Sequence, residues 1–540
     1  VDVFLGVDVG TGSARAALFT VDGRMVAHAA EPIRTWRSGT VEVEQSSRDI
    51  WRAVCGATRA ALLSGGSEVR VRGVGFTATC SLVLVDRDGH PVTVSQSGDA
   101  ERDVVVWMDH RATAETDFVN GTRAEVLRYV GGRISSEMQV PKLLWLKRNL
   151  PGSWAATGHF LDLPDFLTWR ATGSLSRSMC SLACKWTYLG HERRWDDGFL
   201  RQVGLEDLVA DGHARIGTEV RDIGAVAGRV TEAAARELGI PAGVPVGTSI
   251  IDAHAGALGL LGLRTDEEAV DFRRRLALIA GTSSCHLAVS AEPTFVPGVW
   301  GPYQSALLPG AWLTEGGQTA TGALVDAVIG SSAIGAELAG RAQAAGLAPQ
   351  ALLNQRLEAL AGMEGCPVSR LTRDLHVYPD FHGNRSPRAD ASLRGMMSGL
   401  PLVQTEDELA RLYLATVQAL AYGTRHIVET MNRNGFAIDM LLGTGGGTKN
   451  ELFLRQHADA LGMRIVLGEE EEAVLLGAGI LAAVAGGSYA TLPEAMAAMT
   501  RPARVIEPNP EDAPFHDAKY RVFGEMYGDQ GKYRRAMEAI

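Results

Sequence analysis

Cysteine is scarce in this chain. There are six in 540 residues, at 55, 80, 180, 184, 285 and 366, and their irregular spacing excludes a disulfide framework. Cys180 and Cys184 have the wrong gap for a Cys-x-x-Cys site, and no histidine pair in the sequence completes a zinc set, so all six read as thiols of a reducing compartment. Excess positive charge is also missing. Lys and Arg number 52 against 63 Asp and Glu, a net charge of −11, which argues against a nucleic-acid surface because phosphate contacts over many sites need clustered cations. No apolar run reaches the roughly 18 residues that a membrane span requires. The first residues read as a strand and not as a signal peptide, since no basic segment precedes an apolar stretch. The expected compartment is therefore the cytoplasm, and the expected partner a small molecule.

What the sequence does contain is one idea written twice. Phe4–Phe19 and Leu276–Ser290 are each an apolar run, a Gly-Thr turn rich in hydroxyls and a second apolar run. Each reads as a β-hairpin whose tip offers backbone N–H groups and hydroxyls to an anion. The first also carries an acid, Asp8, at the end of its leading strand. A surface hairpin with a capping Asp would spell the first copy alone. Two copies, one per half, imply two similar domains closing on one nucleotide.

The rest of the chain alternates strand and helix, the order of an α/β protein long enough to bury more than one core. The spacing predicts a helix over Trp51–Leu63 and strands over Val69–Phe76 and Ser81–Val85. It predicts a mostly helical insertion over 140–200 and a strand over Val246–Ile251 ending at Asp252. The charged segment Arg264–Arg275 reads as the boundary between halves. In the second half it predicts helices over Glu406–Arg433 and Asn450–Leu461, a strand over Met440–Leu442 leading into Gly445-Gly-Gly447, and an amphipathic surface helix from Asp512. The four acids Glu469–Glu472 suit the positive end of a helix. Gly445–Asn450 is not a Walker loop, because Thr448 precedes Lys449 and Asn450 follows. Gly477-Ala-Gly479 spells a dinucleotide fingerprint, but no strand leads into it, and small residues for helix packing explain it better.

Two clusters are more polar than a core would choose: Trp107-Met-Asp-His-Arg111 and Glu315-Gly-Gly-Gln318. Both could hold sugar hydroxyls; surface salt bridges and a plain loop are the competing readings.

Together these segments resemble the FGGY family of carbohydrate kinases. The resemblance runs through Asp8–Arg15 as the first phosphate loop, Ser249–Gly256 as the catalytic segment, Gly281–Ser283 as the second phosphate loop, Gly445–Asn450 as the adenosine loop and Glu472–Ala482 as the C-terminal signature helix. It implies an α/β fold of two ribonuclease H-like domains, shared with actin, hexokinase and the chaperone ATPases, with an interdomain cleft. Residues 1–263 would bind sugar and carry the first phosphate loop and the catalytic base Asp252, and residues 264–540 would bind the adenosine. It further implies ATP bound by Thr11, Gly12, Ser13, Arg15, Gly281, Thr282, Ser283, Gly322, Gly446, Gly447 and Asn450. Mg²⁺ would lie near Asp8, and the sugar would be read by Asp109, His110, Arg111, Lys185, Asp252 and Glu315.

Within the family, Trp107–Arg111, Lys185-Trp186, Glu315–Gly322 and Pro379–Pro387 are similar to the ribulokinase branch. The chain lacks the Asn-Asp-Gly-Arg segment of xylulokinases and the Asp-Gln pair of glycerol kinases, since Ala253 follows Asp252. The implied acceptor is a ketopentose, D-ribulose first, with ribitol, L-ribulose and xylulose left open. An actin-like or chaperone-like ATPase switch is the alternative of another class, and a homodimer is left open as the assembly.

Overall fold

The computed structural model describes residues 1–265, 270–402 and 405–538. Part of the charged segment 264–275, and the last two residues of the tail, lie outside them. Two seven-stranded sheets organise the chain, and both are wound the same way. In the first, Met25–Pro32, Ser13–Phe19 and Asp2–Val9 run antiparallel, followed by Arg70–Ala78 and Pro245–Gly247 in parallel and Val226–Arg229 at the edge; Ile250–Ile251 also pairs with Arg70–Ala78. In the second, Trp312–Gln318, Ser284–Ser290 and Arg275–Ala280 run antiparallel, followed by Met440–Thr444 and Arg464–Gly468 in parallel and Pro502–Ile506 at the edge, with Trp300–Gln304 beside Trp312–Gln318. The repeat seen in two hairpins thus extends over whole sheets, which is the duplicated actin/hexokinase-like fold.

Strand parity decides what each face meets. Along Asp2–Val9 the residues Val3, Leu5, Val7 and Val9 enter one core with Ile50, Trp51, Val54 and Ala57 of the helix Ser47–Gly65. Phe4 points to the other core, and Gly6 and Asp8 share its face. That face is covered by the helix Ala473–Ala485, which arrives from the far end of the chain. A Cβ on Gly75 would come within 2.0 Å of the Ala478 carbonyl oxygen, so this strand position must be glycine for the helix backbone to lie on the sheet. A second helix, Asp252–Leu261, packs against Ala473–Ala485 and against the strand Arg275–Ala280. The two sheets are therefore joined through a crossed pair of helices, each reaching from one half towards the other.

Most predicted elements form. Glu406–Arg433 is one helix, and Glu451–Leu461 is another with Asn450 as its N-cap. The strand expected over Val246–Ile251 is interrupted. Its middle residues bond elsewhere: Thr248 N–H donates to the Ala225 carbonyl, and the Ser249 carbonyl accepts from the Ser178 hydroxyl at 2.6 Å. The stretch 140–200 holds helices Gln139–Asn149, Leu163–Thr172 and Met179–Lys185 as expected. However, Leu82–Val85 belongs to neither large sheet. It pairs with His159–Asp162 and Val104–Val105, and with Thr35–Ser38 and Glu42–Gln45 these form a five-stranded antiparallel sheet. Among the described residues no single helix is long and apolar enough to cross a membrane.

Candidate active site

The first hairpin closes through Gly10 N–H donating to the Ser13 carbonyl (3.0 Å), and the second through Gly281 N–H donating to the Ser283 carbonyl (2.9 Å). The first tip is held from the small sheet: the Gln45 amide donates to the Thr11 carbonyl (2.7 Å) and the Trp107 indole to the Thr11 hydroxyl (3.0 Å). Gly12 stays exposed, with nothing within 4 Å of where a Cβ would stand. In the second tip, Thr321 and Gly322 at the start of the helix Gly322–Ser331 donate to the carbonyls of Thr282 and Gly281. The carbonyls are thus occupied from behind.

A cleft of about 680 Å³ opens beside this second tip. It gathers Gly281, Thr282, Gly322, Gly446, Gly447 and Asn450, all singled out from sequence. Gly445 makes the turn that brings its neighbours there: φ is +96°, and a Cβ would approach the Ala280 carbonyl oxygen to 2.5 Å. Asn450 is fixed by its amide donating to the Tyr413 hydroxyl (2.6 Å) and by its oxygen accepting from Asn354 (2.9 Å). Asn354 and Tyr413 had no distinguishing pattern of their own. Ser283 belongs to the tip and does not line this cleft. A second cavity, of about 640 Å³ behind the helix Ser47–Gly65, contains none of the predicted residues.

Asp8 ends the leading strand on the helix-covered face and is 1% exposed. One of its oxygens accepts from Arg15 at 2.5 and 3.0 Å; the other, Oδ1, is buried without a partner. Arg15 also reaches Glu472, at 2.6 Å, so this predicted phosphate ligand ties the first hairpin to the start of the helix Ala473–Ala485. Burial raises the Asp8 pKa, and Arg15 opposes the rise. Asp252 opens its helix at the broken strand's end, half-buried, with Oδ1 accepting from its neighbour Ala253 N–H at 2.7 Å. Desolvation first, and the nearby Asp8 second, push the Asp252 carboxyl up to about 6. A carboxyl whose ionisation is opposed by burial and by a neighbouring carboxylate is a natural seat for a proton or a cation.

Lys185, whose charge opposes the rise at Asp252, stands 3.5 Å from Glu315, and both are nearly inaccessible. Glu315 lies opposite Trp300 in the register of the second sheet. The Lys185 ammonium is 4.6 Å from the centre of the Trp300 ring, and the Arg385 guanidinium is 5.5 Å from it. Arg385 in turn pairs with Glu137 at 3.0 Å. Burial alone would raise the Glu315 carboxyl, but Lys185, His254 and Arg385 hold it down at about 2. His254 Nε2–H donates to Glu315, 3.4 Å away. Trp300 and Glu137 stand outside the motifs readable in the sequence; His254 and Arg385 fall inside Ser249–Gly256 and Pro379–Pro387, but nothing there marks either as a site residue by itself.

The segment Trp107–Arg111 turns much of its polarity inward. Asp109 is fully buried and accepts from Val43 N–H (2.6 Å), Arg111 N–H (3.0 Å) and the Arg111 guanidinium (2.7 Å). Arg111 spends its remaining donors on Glu44 (2.8 Å) and the Val94 carbonyl (3.0 Å). With these hydrogen bonds directed inward, the two residues pin the segment. His110 is only half-buried, and desolvation lowers its pKa.

Family models match both halves of the chain: the N-terminal domain of the FGGY family of carbohydrate kinases over residues 3–259, and its C-terminal domain over residues 276–486. An FGGY carbohydrate kinase domain-containing protein of Homo sapiens is 49% identical over 541 residues, covering 99% of this chain and 98% of the human protein. A D-ribulokinase of Saccharomyces cerevisiae is 37% identical over 515 residues, covering 90% of this chain and 72% of the yeast one. Among solved structures, xylulose kinase from Rhodospirillum rubrum superposes with a TM-score of 0.79 at 22% identity, over 98% of this chain and 99% of that one.

Proposed function

Because the chain belongs to the FGGY family of carbohydrate kinases, we propose that it transfers the γ-phosphoryl group of ATP to the terminal hydroxyl of a ketopentose, with D-ribulose the acceptor. The domain division that goes with this reading lies in the charged segment, 1–263 on the sugar side and 264–540 on the adenosine side. The observation that carries the proposal is Asp252: it is within electrostatic reach of Asp8 on the first phosphate hairpin and of Lys185 on the sugar side. Phosphoryl transfer is chiefly a matter of position and charge. The N–H groups and hydroxyls of Thr11, Gly12, Ser13, Gly281, Thr282 and Ser283 hold the phosphates from both tips. The cleft lined by Gly322, Gly446, Gly447 and Asn450 takes the nucleoside. Asp252 accepts the proton of the attacking hydroxyl. Lys185 and Glu315 offer a donor and an acceptor to the sugar's other hydroxyls, and His110 stands at the rim of the same region.

The carboxylates also fit a hard cation. Asp8 has a buried oxygen without a partner, and oxygen donors are what Mg²⁺ prefers. Asp8 would hold such an ion through its waters. Its role when bound is to offset phosphate charge.

D-ribulose as acceptor is supported by the yeast relative's name and by the pairing of Lys185 with Glu315. A screen of D-ribulose, L-ribulose, ribitol, xylulose and glycerol for ADP release, compared as kcat/KM, tests it. D-ribulose should give the largest value. ADP release that ignores the sugar would favour an ATPase switch.

A further inference from the structure

Two buried cysteines beside His254 have no part in the reaction above. The short helix Met179–Lys185 carries Cys180 and Cys184 one turn apart, so both sulfurs face the same side. Facing them is His254, from the first turn of Asp252–Leu261. Its Nδ1 is 2.9 Å from the Cys180 sulfur. All three residues are fully buried, and their donor atoms lie within 4.8 Å of one another. Sequence spacing hid this set, because the histidine comes 74 positions after Cys180.

We propose that Cys180, Cys184 and His254 form a binding site for one thiophilic divalent cation of the zinc class. Tetrahedral Cys₂His coordination requires donors about 3.5 Å apart, given metal–sulfur distances of about 2.3 Å and metal–nitrogen distances of about 2.0–2.1 Å. The cluster needs only small side-chain adjustments to reach it. Its second layer is in place: with Nδ1 turned to the cysteines, the Nε2 of His254 faces the Glu315 carboxylate at 3.4 Å, the carboxylate–histidine arrangement that fixes the tautomer of a metal-bound imidazole. The buried Tyr303 hydroxyl interacts electrostatically with Cys184 and has no hydrogen-bond partner; it would be available to a water completing the coordination.

Charge balance favours the exchange. Binding displaces one proton from Cys184 and one from the Cys180–His254 pair, so a doubly charged cation replaces two protons and the buried cluster keeps its net charge. The protons leave to solvent, and no redox change is involved. The ligands come from the turn that ends in Lys185 and the turn that begins at Asp252, so a bound cation ties these two segments together.

The test is a Co²⁺ titration of the full chain kept reduced by a non-chelating phosphine, with no nucleotide or sugar present. The account expects a sulfur-to-cobalt charge-transfer band that saturates at one equivalent, release of about two protons per cobalt, and displacement by Zn²⁺ but not by excess Mg²⁺. Cys180→Ser and Cys184→Ser should each abolish the band, whereas Cys55→Ser keeps it; Cys184→Ala serves if a serine disturbs the helix. A cobalt ion taken by the carboxylates near Asp8 gives no sulfur band. No band at saturating cobalt, or a full band in the Cys180→Ser/Cys184→Ser double variant, overturns the site. The titration is read without catalysis, so its failure is distinct from failure of the kinase reading.

Discussion

Arg15 and Glu472 are 457 positions apart in the chain and 2.6 Å apart in the fold. This bond, continued by Arg15 to Asp8, fastens the first phosphate hairpin to the helix that crosses between the halves. The two ends of the bridge are unequal. Asp8 is buried, whereas Arg15 and Glu472 are each about one-third exposed.

Removing the middle of the bridge should therefore cost more than removing its exposed end. Glu472→Gln is expected to change unfolding free energy by no more than about 1 kcal/mol, as for a solvent-screened pair. Arg15→Met strands the Asp8 carboxylate beside Asp252 and should cost about 1–3 kcal/mol. That loss shrinks as pH falls, because the raised Asp8 pKa lets the stranded carboxyl neutralise itself by protonation. Urea unfolding at two pH values checks the ranking; equal losses at both ends would contradict it.

As the proposed proton acceptor, Asp252 should give activity an acid limb. A proton acceptor must be ionised, and its carboxyl is pushed up to about 6 by burial and by Asp8. The kcat/KM for the sugar should fall tenfold per pH unit below about 6. In Asp252→Asn the residual activity should lose this limb. A flat profile in the wild-type chain from pH 5 to 8 would contradict the assignment.

Close backbone packing makes the crossed helices intolerant of one methyl group. A Cβ on Gly477 would stand 1.9 Å from the Ala255 carbonyl oxygen, forcing apart the helix that Asp252 begins. Gly477→Ala should cost about 1–3 kcal/mol or more and lower kcat. Gly524→Ala, on the helix Ala513–Glu538 with no neighbour within 4 Å, should be neutral or stabilising by about 0.5–1 kcal/mol. Thermal unfolding of the two variants side by side decides it.

Lys185 and Asp109 should fail in different ways. Lys185→Met removes the cation beside Glu315 and should cost about 2–5 kcal/mol of sugar binding, with the KM for ATP nearly unchanged. Asp109→Asn breaks an inward-facing pair with Arg111 and should cost about 3–5 kcal/mol of stability, with the KM for sugar unchanged in whatever remains folded. A raised sugar KM with normal stability in Asp109→Asn would return that residue to the binding site.

The two hairpins were readable because their physics is local: a glycine turn between two apolar runs needs no other part of the chain. The helix Glu406–Arg433 was readable for the same reason, through its 3.6-residue period. The five-stranded sheet was not, because its strands are two to four residues long and drawn from positions 35 to 162, too short for a period to show. At Asp109 and Arg111 polarity marks a ligand contact and an internal ion pair alike, and only the direction of their hydrogen bonds, invisible in the sequence, bears on which it is. His254 was read as part of a catalytic segment, while its contacts with Cys180 and Glu315 depend on three segments meeting.

In the proposed reaction Asp252 takes the proton of a sugar hydroxyl held between two phosphate grips. The most direct measurement is Asp252→Asn, with ATP and D-ribulose binding followed by calorimetry and turnover by ADP release. The account predicts binding of both ligands near the wild-type strength and a kcat reduced by roughly 10²–10⁴-fold. Near-normal turnover by this variant would contradict it.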